Sequence, residues 1–330
     1  MIVGALPFAP DEPAALWAPD RVSVTGERYR PATSTTLPRF EFDDAVPTPD
    51  EHLRRVATAV GLLRDEIDSL RKVVLARAIR ARAEQPVEAV EVLDQLVSTD
   101  PAGNGFLVDL SAAGGLYHGK HLVGASPEML INRDGPAVVS HPLAGSASRG
   151  TDPDADRVAA EALLGSAKDL QEHRYVVDQV GDLLRKVCGN VDVSGPSLTA
   201  TPNMWHLGTA ITAMVAGTGP SALELAAALH PTPAVCGTPT TQAARLIAAL
   251  EGNRGFYAGA VGWCDSDGNG EWMVSIRCTE LSSDRRELVA YAGGGIVAES
   301  DPHAELAETT AKFARVLRPL GIADAPVAVT

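Results

Sequence analysis

The chain lacks several features that would have classified it directly. It has four cysteines in 330 residues, Cys188, Cys236, Cys264 and Cys278, and no two form a CxxC. That excludes a disulfide-stapled scaffold, and no His/Cys spacing suggests zinc. The expectation is four reduced, mostly buried thiols in a cytoplasmic protein. Neither GxxxxGK[ST] nor GxGxxG occurs, so no phosphate-cradling nucleotide motif is present. No apolar run is long enough to span a bilayer, and MIVGALPFAPDEPA has no basic start, so no signal peptide is expected. Internal repeats, heptads and low-complexity tracts are absent. Positive charge is scarce: 28 Lys and Arg against 42 Asp and Glu leave a formal net charge of −14. This balance disfavours nucleic acid and anionic membrane as partners. An anionic substrate would then need a bound divalent cation to offset the acidic protein.

What remains is an ordinary globular composition, 45% hydrophobic and 21% charged. The length allows two domains, or one large α/β or α+β domain. The most informative stretch is YAGGGIVAESDPHAELAETTAK, from Tyr291 to Lys312. A strand-like approach meets Gly293 to Gly295, where the absence of Cβ lets backbone come close to a ligand. Asp301 and Pro302 then suit a helix cap and first helical position. Glu305, Glu308 and Lys312 follow at i, i+3 and i+7, on one face. A second carboxylate pair, Asp169 and Glu172, sits at i and i+3 in SAKDLQEHR, with Ser166 as cap and Lys168 alongside. Exposed helices often carry such charges for solubility alone. Two pairs on two helices, however, can converge on one hard cation, and carboxylate oxygens suit magnesium.

Residues 1–50 suggest short strands, IVGALPF and RVSVTGERYRP, then a Pro/Thr/Asp-rich connection over 31–50. Helical spacing runs from Leu53 through Val56, Val60, Leu63 and Ile67 to Leu70. Lys72 precedes the β-like Val73-Val74-Leu75-Ala76, where a solvated strand-end lysine is the plain reading. Glu128, after Pro127, reads first as a turn residue. A strand before Ala144-Gly145-Ser146 offers a second close backbone approach. MWHLGTAITAMVAG predicts one strand carrying His206. Residues 153–187 predict a helix interrupted near Gly165, and 219–229 and 240–251 two more, joined by the rigid HPTPAVCGTP. GAVGWC and EWMVSIRC flank SDGNG as a hairpin. Arg277 alternates with apolar neighbours there.

KVVLAR, GASPE, PLAG, SAKDLQEH, HPTPAVCGTP, YAGAVGW, IRC and AGGGIVAESDPHAELAET, in that order, resemble the motifs of the chorismate-utilising enzymes. These comprise anthranilate, aminodeoxychorismate, isochorismate and salicylate synthases. The resemblance covers roughly residues 50–318 and is strongest to isochorismate synthases, through HPTPAVCGTP and GWCDSDGNGEW. It implies a single α+β domain over 1–330, with antiparallel sheets packed face to face, helices outside and a cleft between the halves. Within it, 1–50 would be N-terminal strands, shortened relative to longer members, and 51–318 the catalytic core. The implied substrate is chorismate and the implied cofactor Mg2+. The protein would act as a monomer, with its product feeding siderophore (2,3-dihydroxybenzoate or salicylate) or menaquinone biosynthesis. By the same analogy, Lys72 is the base that activates water for attack at ring C2, and Glu128 the acid that protonates the departing C4 hydroxyl. Glu172 and Glu308 resemble direct metal ligands, with Asp169 and Glu305 around them. Tyr257 and Arg277 match positions that hold the pyruvyl carboxylate. Gly145, Ser146, His206, Gly293, Gly295 and Lys312 would line the cleft. Ala234 stands where salicylate-forming relatives tend to carry threonine, so a salicylate synthase is the weaker alternative. A non-catalytic binder of magnesium and carboxylates is weaker still, because every catalytic position is filled. Cys236 stands where serine is common.

Overall fold

The computed structural model describes residues 1–322 except 28, 30, 32–36, 66–68, 100–103, 202–203 and 218. In chain order the strands are β1 (Ile2–Leu6), β2 (Ala15–Trp17), β3 (Phe40–Val46), β4 (Lys72–Ala83), β5 (Gly105–Asp109), β6 (His121–Ala125), β7 (Met129–Asp134), β8 (Ala137–His141), β9 (Leu143–Ser148), β10 (Gly189–Val193), β11 (Ser197–Ala200), β12 (Met204–Gly208), β13 (Ile211–Met214), β14 (Gly237–Thr238), β15 (Ala260–Cys264), β16 (Gly270–Val274), β17 (Cys278–Leu281) and β18 (Glu287–Ile296). The helices are α1 (Pro49–Arg64), α2 (Ala89–Ser98), α3 (Pro153–Gly165), α4 (Ala167–Val187), α5 (Ala222–Leu229), α6 (Thr240–Glu251) and α7 (Pro302–Leu317).

The strands form an eight-stranded sheet, β10-β13-β8-β7-β16-β15-β1-β2, and a seven-stranded sheet ordered β14-β4-β18-β17-β6-β5 with β3 also on β4. A three-stranded sheet, β11-β12-β9, completes the set. Pairing is antiparallel, as in the long β4–β18 ladder that runs from Arg82 opposite Glu287 to Val73 opposite Ile296. The two large sheets share one core, in which Ile131, Val261 and Trp272 of the first join Val73, Leu75 and Ile296 of the second. A second core lies between the seven-stranded sheet, through Ile79, Ala81 and Leu288, and helices α2 and α7, through Val92 and Phe313. The architecture is the α+β arrangement expected from the sequence.

Local signals account for the elements that carry the site. The Ser166 hydroxyl accepts from the Asp169 amide at the start of α4. The Asp301 carboxylate accepts from the Ala304 amide at the start of α7. Each removes an orphan amide of the first turn. SDGNG closes the β15–β16 hairpin, with Cys264 opposite Gly270. Four expectations fail. RVSVTGERYRP forms no strand among its described residues, and the 31–50 connection contains β3. Helix α1 stops at Arg64, so Leu70 is a core residue at the entry to β4, and Ile67 lies outside the described residues. MWHLGTAITAMVAG makes two strands, β12 and β13, in different sheets.

The loop between α5 and β14, which carries Ala234, hangs on Arg254. Its guanidinium pairs with Glu251 and donates to the Val235 and Val74 carbonyls, at 2.8 and 2.7 Å. It also lies over the Phe8 ring. Removing one partner of a buried ion pair strands the other. Arg254→Met is therefore expected to lower unfolding free energy by about 3–5 kcal/mol. Urea denaturation measures this, and a loss below about 1 kcal/mol would show that the Ala76 amide, which donates to Glu251 Oε1 at 2.7 Å, suffices for the carboxylate.

Candidate active site

Between the sheets lies a cleft, the usual setting of a small-molecule site. Its walls include Glu128, Gly145, Ser146, Glu172, His206, Ala234, Tyr257, Arg277, Gly293, Gly295, Glu308 and Lys312. Nearly the whole set predicted from sequence thus meets in one place. Lys72, Asp169 and Glu305 are not on the cleft surface; they stand behind it.

Lys72 is fully buried, and its Nζ lies 2.9 Å from Glu172 Oε1. The solvated strand-end lysine is therefore excluded. The three glycines have distinct duties. A Cβ on Gly295 would sit 2.1 Å from Glu172 Oε1, and one on Gly293 3.0 Å from the Tyr257 hydroxyl. The side chain that approaches the glycine run here is thus the protein's own glutamate. Gly294 faces the other way, toward Glu305 on α7. Gly145 has φ +78° and lets β9 pass close to Asp169, a conformation that favours glycine.

Glu128 lies in the link between β6 and β7 and is 4% exposed. Its backbone is pinned on both sides: its amide donates to Ser126 Oγ at 3.2 Å, and its carbonyl accepts from the Val274 amide at 3.0 Å. The Ser126 hydroxyl in turn donates to the Val274 carbonyl at 2.6 Å. Sequence reasoning missed Ser126, although a serine two residues before the glutamate is a local capping signal. Burial pushes the Glu128 carboxyl up to about 7, against the lowering pull of the Leu143 amide and the cations Lys72, Lys312 and Arg277. It is a turn residue whose carboxyl can hold a proton near neutrality.

Arg277 adopts φ +54°, a left-handed conformation uncommon for a side-chain-bearing residue, and lines the cleft. Burial, and then the neighbouring Arg315, draw its guanidinium down to about 10. Burial and the cations Arg277, Lys312 and Arg315 hold His206 down to about 2, so its imidazole is neutral. Tyr257 stacks on Tyr291 with centroids 4.8 Å apart, and burial keeps its hydroxyl protonated, well above the ordinary range.

The four acids are each tied to a partner. Glu172 pairs with Lys72. Glu308 accepts from Ser146 Oγ at 3.0 Å and pairs with Lys312, whose Nζ also donates to the Gly293 carbonyl. Glu305 accepts from Lys168 Nζ and Ser300 Oγ. Asp169 accepts from Ser166 Oγ. Lys168, noted from sequence only as a neighbour, is thus part of the cluster. Burial, then the charges of Glu172 and Glu308, raise Asp169. Burial, then Glu308, raise Glu305. Burial opposes the charge on Glu308, but Lys312 and Ser146 hold its carboxyl below the usual range.

Among the described residues, no group of three or more His, Cys, Asp or Glu is gathered as a metal centre. The donor chemistry nevertheless suits a hard cation. All four groups are carboxylates, they repel one another, and Glu305 Oε2 is buried without a hydrogen-bond partner.

Residues 20–321 match the family described as chorismate binding enzyme. A protein of Mycobacterium tuberculosis bearing the name MenF is 50% identical over 324 residues, spanning 98% of this chain and 87% of that protein. The isochorismate synthase DhbC of Bacillus subtilis is 42% identical over 331 residues, spanning 98% of this chain and 81% of its own. A solved DhbC structure from Bacillus anthracis superposes with a TM-score of 0.86 at 38% identity, over 97% of this chain and 83% of that one. A buried lysine–glutamate pair, a protonatable glutamate and a cationic wall thus stand in the frame of these proteins, and the chain belongs to the family of chorismate binding enzymes.

Proposed function

We propose that the protein is an isochorismate synthase, an isomerase that moves the hydroxyl of chorismate from C4 to C2. The observation that carries this reading is Glu128, a carboxyl kept protonatable near neutrality in a cleft that also holds the amine of Lys72 behind Glu172. The DhbC relative at 42% identity bears that enzyme's name.

In the proposed reaction Lys72 takes a proton from the water that attacks C2. Lys72 must first shed its own proton and its contact with Glu172. Glu128 gives its proton to the C4 hydroxyl, which leaves as water while the ring double bonds shift. Two groups with opposite proton assignments are what such an exchange requires. Arg277 and Tyr257 hold the pyruvyl carboxylate, and Lys312 adds a cation on the same wall. His206 and Ser146 supply polar contacts from β12 and β9, and Gly145, Gly293 and Gly295 keep the walls free of side chains. Glu172 and Glu308, with Asp169 and Glu305 around them, would hold a magnesium ion. Such an ion supplies positive charge for the ring carboxylate. Ala234 lines the cleft where salicylate-forming relatives tend to carry threonine, which favours release of isochorismate intact. The product serves the synthesis of a siderophore or of menaquinone.

Chorismate with magnesium should give isochorismate and background levels of pyruvate, read by chromatography and a coupled lactate dehydrogenase assay. Pyruvate formed as fast as chorismate disappears would make the enzyme a salicylate synthase. Chelation by EDTA should stop turnover and added magnesium restore it; full activity in excess chelator would remove the metal from the account.

Glu128 acts in its protonated form, whose fraction falls as pH rises through about 7. The kcat/KM profile should therefore fall on the alkaline side of that value. Glu128→Gln should lose about 10²–10⁴ in kcat and the limb with it. A limb that persists in the variant would assign it to another group.

A further inference from the structure

Arg77 is among the largest fully buried side chains of the molecule, at 1% exposure, and the reaction makes no use of it. It lies on β4 opposite Ala292 of β18, close to Gly294. There helix α7 comes so near the strand that a Cβ on Gly294 would stand 3.2 Å from Glu305 Oε2 and 3.6 Å from Thr309 Cγ2. Arg77 Nη1 donates to Thr309 Oγ1 and to Thr310 Oγ1, at 3.2 Å each. Its guanidinium also lies 5.5 Å from the centroid of the Phe313 ring, further along α7. Both threonine hydroxyls donate back to the Leu306 carbonyl, at 3.0 and 2.8 Å. One cation on the strand thus grips one turn of the helix.

That turn sits in the middle of the functional part of α7. Glu305 and Glu308 precede it, Lys312 follows it, and those three share the face next to Thr309, Thr310 and Phe313. A helix that slipped by one residue would shift by about 1.5 Å and turn by about 100°. Such a slip would take both hydroxyls from Arg77 and swing the acids away from the cleft. A buried arginine also serves as plain packing between a strand and a helix, and Phe313 belongs to the core there. For that use an apolar side chain of similar volume avoids the cost of desolvating a charge. An apolar side chain, however, lets α7 slide and rotate, whereas two directional bonds to successive hydroxyls admit one register. Burial draws the Arg77 guanidinium down to about 10, so it is charged at neutral pH and both bonds are charge-assisted.

We propose that Arg77 is a positioning residue for the cation site: it fixes the register of α7 on the seven-stranded sheet and so sets the affinity of Glu305 and Glu308 for magnesium. This role rests on the reading of those acids as a magnesium site. Arg77 does not line the cleft and acts through the helix. Lys72 begins the same strand, so the grip also sets the height of the α7 acids against the base. Carboxylates held in place before the ion arrives lose less freedom on binding it. Groups that support metal ligands change metal affinity by about 10–100-fold when they are removed.

Magnesium titrated by calorimetry into the protein without chorismate reads this role without turnover. The wild type should be compared with Arg77→Met, Thr309→Val/Thr310→Val, Thr310→Val and Thr310→Ser. The double valine variant keeps the shape of the turn and removes both acceptors, so its Kd for magnesium should rise about tenfold. Arg77→Met, which removes the donor, should do the same. Thr310→Val, at a half-buried position, should raise Kd about threefold, half of that effect in free energy, and it decides the matter where the other two fail to fold. Thr310→Ser keeps the hydroxyl and should bind as the wild type does. At saturating magnesium kcat should stay within about threefold of wild type, because the ion's affinity is what changes. Unchanged magnesium affinity in the folded variants, or a Thr310→Ser protein as weak as Thr310→Val, would overturn the role. A fall in melting temperature with magnesium affinity intact is what packing alone predicts, and it would overturn the role too. A wild type that takes up no magnesium would refute the cation reading and this role with it, whereas equal binding by wild type and variants refutes the role alone.

Discussion

The contact between Lys72 and Glu172, 2.9 Å long and buried, is the constraint on which the site depends. It ties the first residue of β4, in the seven-stranded sheet, to α4, which packs on β9 of the three-stranded sheet. Burying two charges is costly unless each satisfies the other, so the sheet and the helix must meet at this point or not at all. The glycine at 295 exists to make room for it, since any Cβ there would overlap the glutamate oxygen. Gly145 makes the matching concession on β9 beside Asp169. The cleft is thus shaped by the approach of the protein's own carboxylates, and its backbone walls are a consequence.

Charge is distributed in the same spirit. The acids that would meet a cation are held by Lys72, Lys168 and Lys312, so that no carboxylate in the cluster stands without a donor. Glu128 is pinned through its backbone and left with a desolvated carboxyl. His206, at the same cleft, is kept neutral by burial and then by the cations around it, and can offer a hydrogen bond without competing for the substrate's charge.

Much of this was legible in the sequence, for identifiable reasons. The caps Ser166 and Asp301, and the acids one turn apart after them, follow from local rules that need no tertiary information. The SDGNG hairpin does too. Lys72 was harder: nothing local separates a lysine at a strand end in water from one buried against a helix 100 residues later, and the resemblance to known enzymes was what raised it. The division of MWHLGTAITAMVAG shows only in the pairing: β12 pairs with β9 and β13 with β8, and just Thr209 and Ala210 lie between the two strands. Strand β3 was hidden in an acidic, proline-flanked segment, where it earns its place only by pairing with β4. Ser126 carries no chemistry of its own and is recognised only once its bonds to Glu128 and Val274 are seen.

The central claim is that Lys72 removes the proton from the attacking water. Lys72→Gln keeps a polar side chain near Glu172 but cannot act as a base. On one preparation, with folding checked by thermal denaturation, kcat and the calorimetric affinity for chorismate in magnesium should be measured together. Loss of a general base is expected to lower kcat by about 10²–10⁴, with affinity near that of the wild type because Arg277 and Tyr257 remain. A folded Lys72→Gln protein with near-normal kcat would contradict the account.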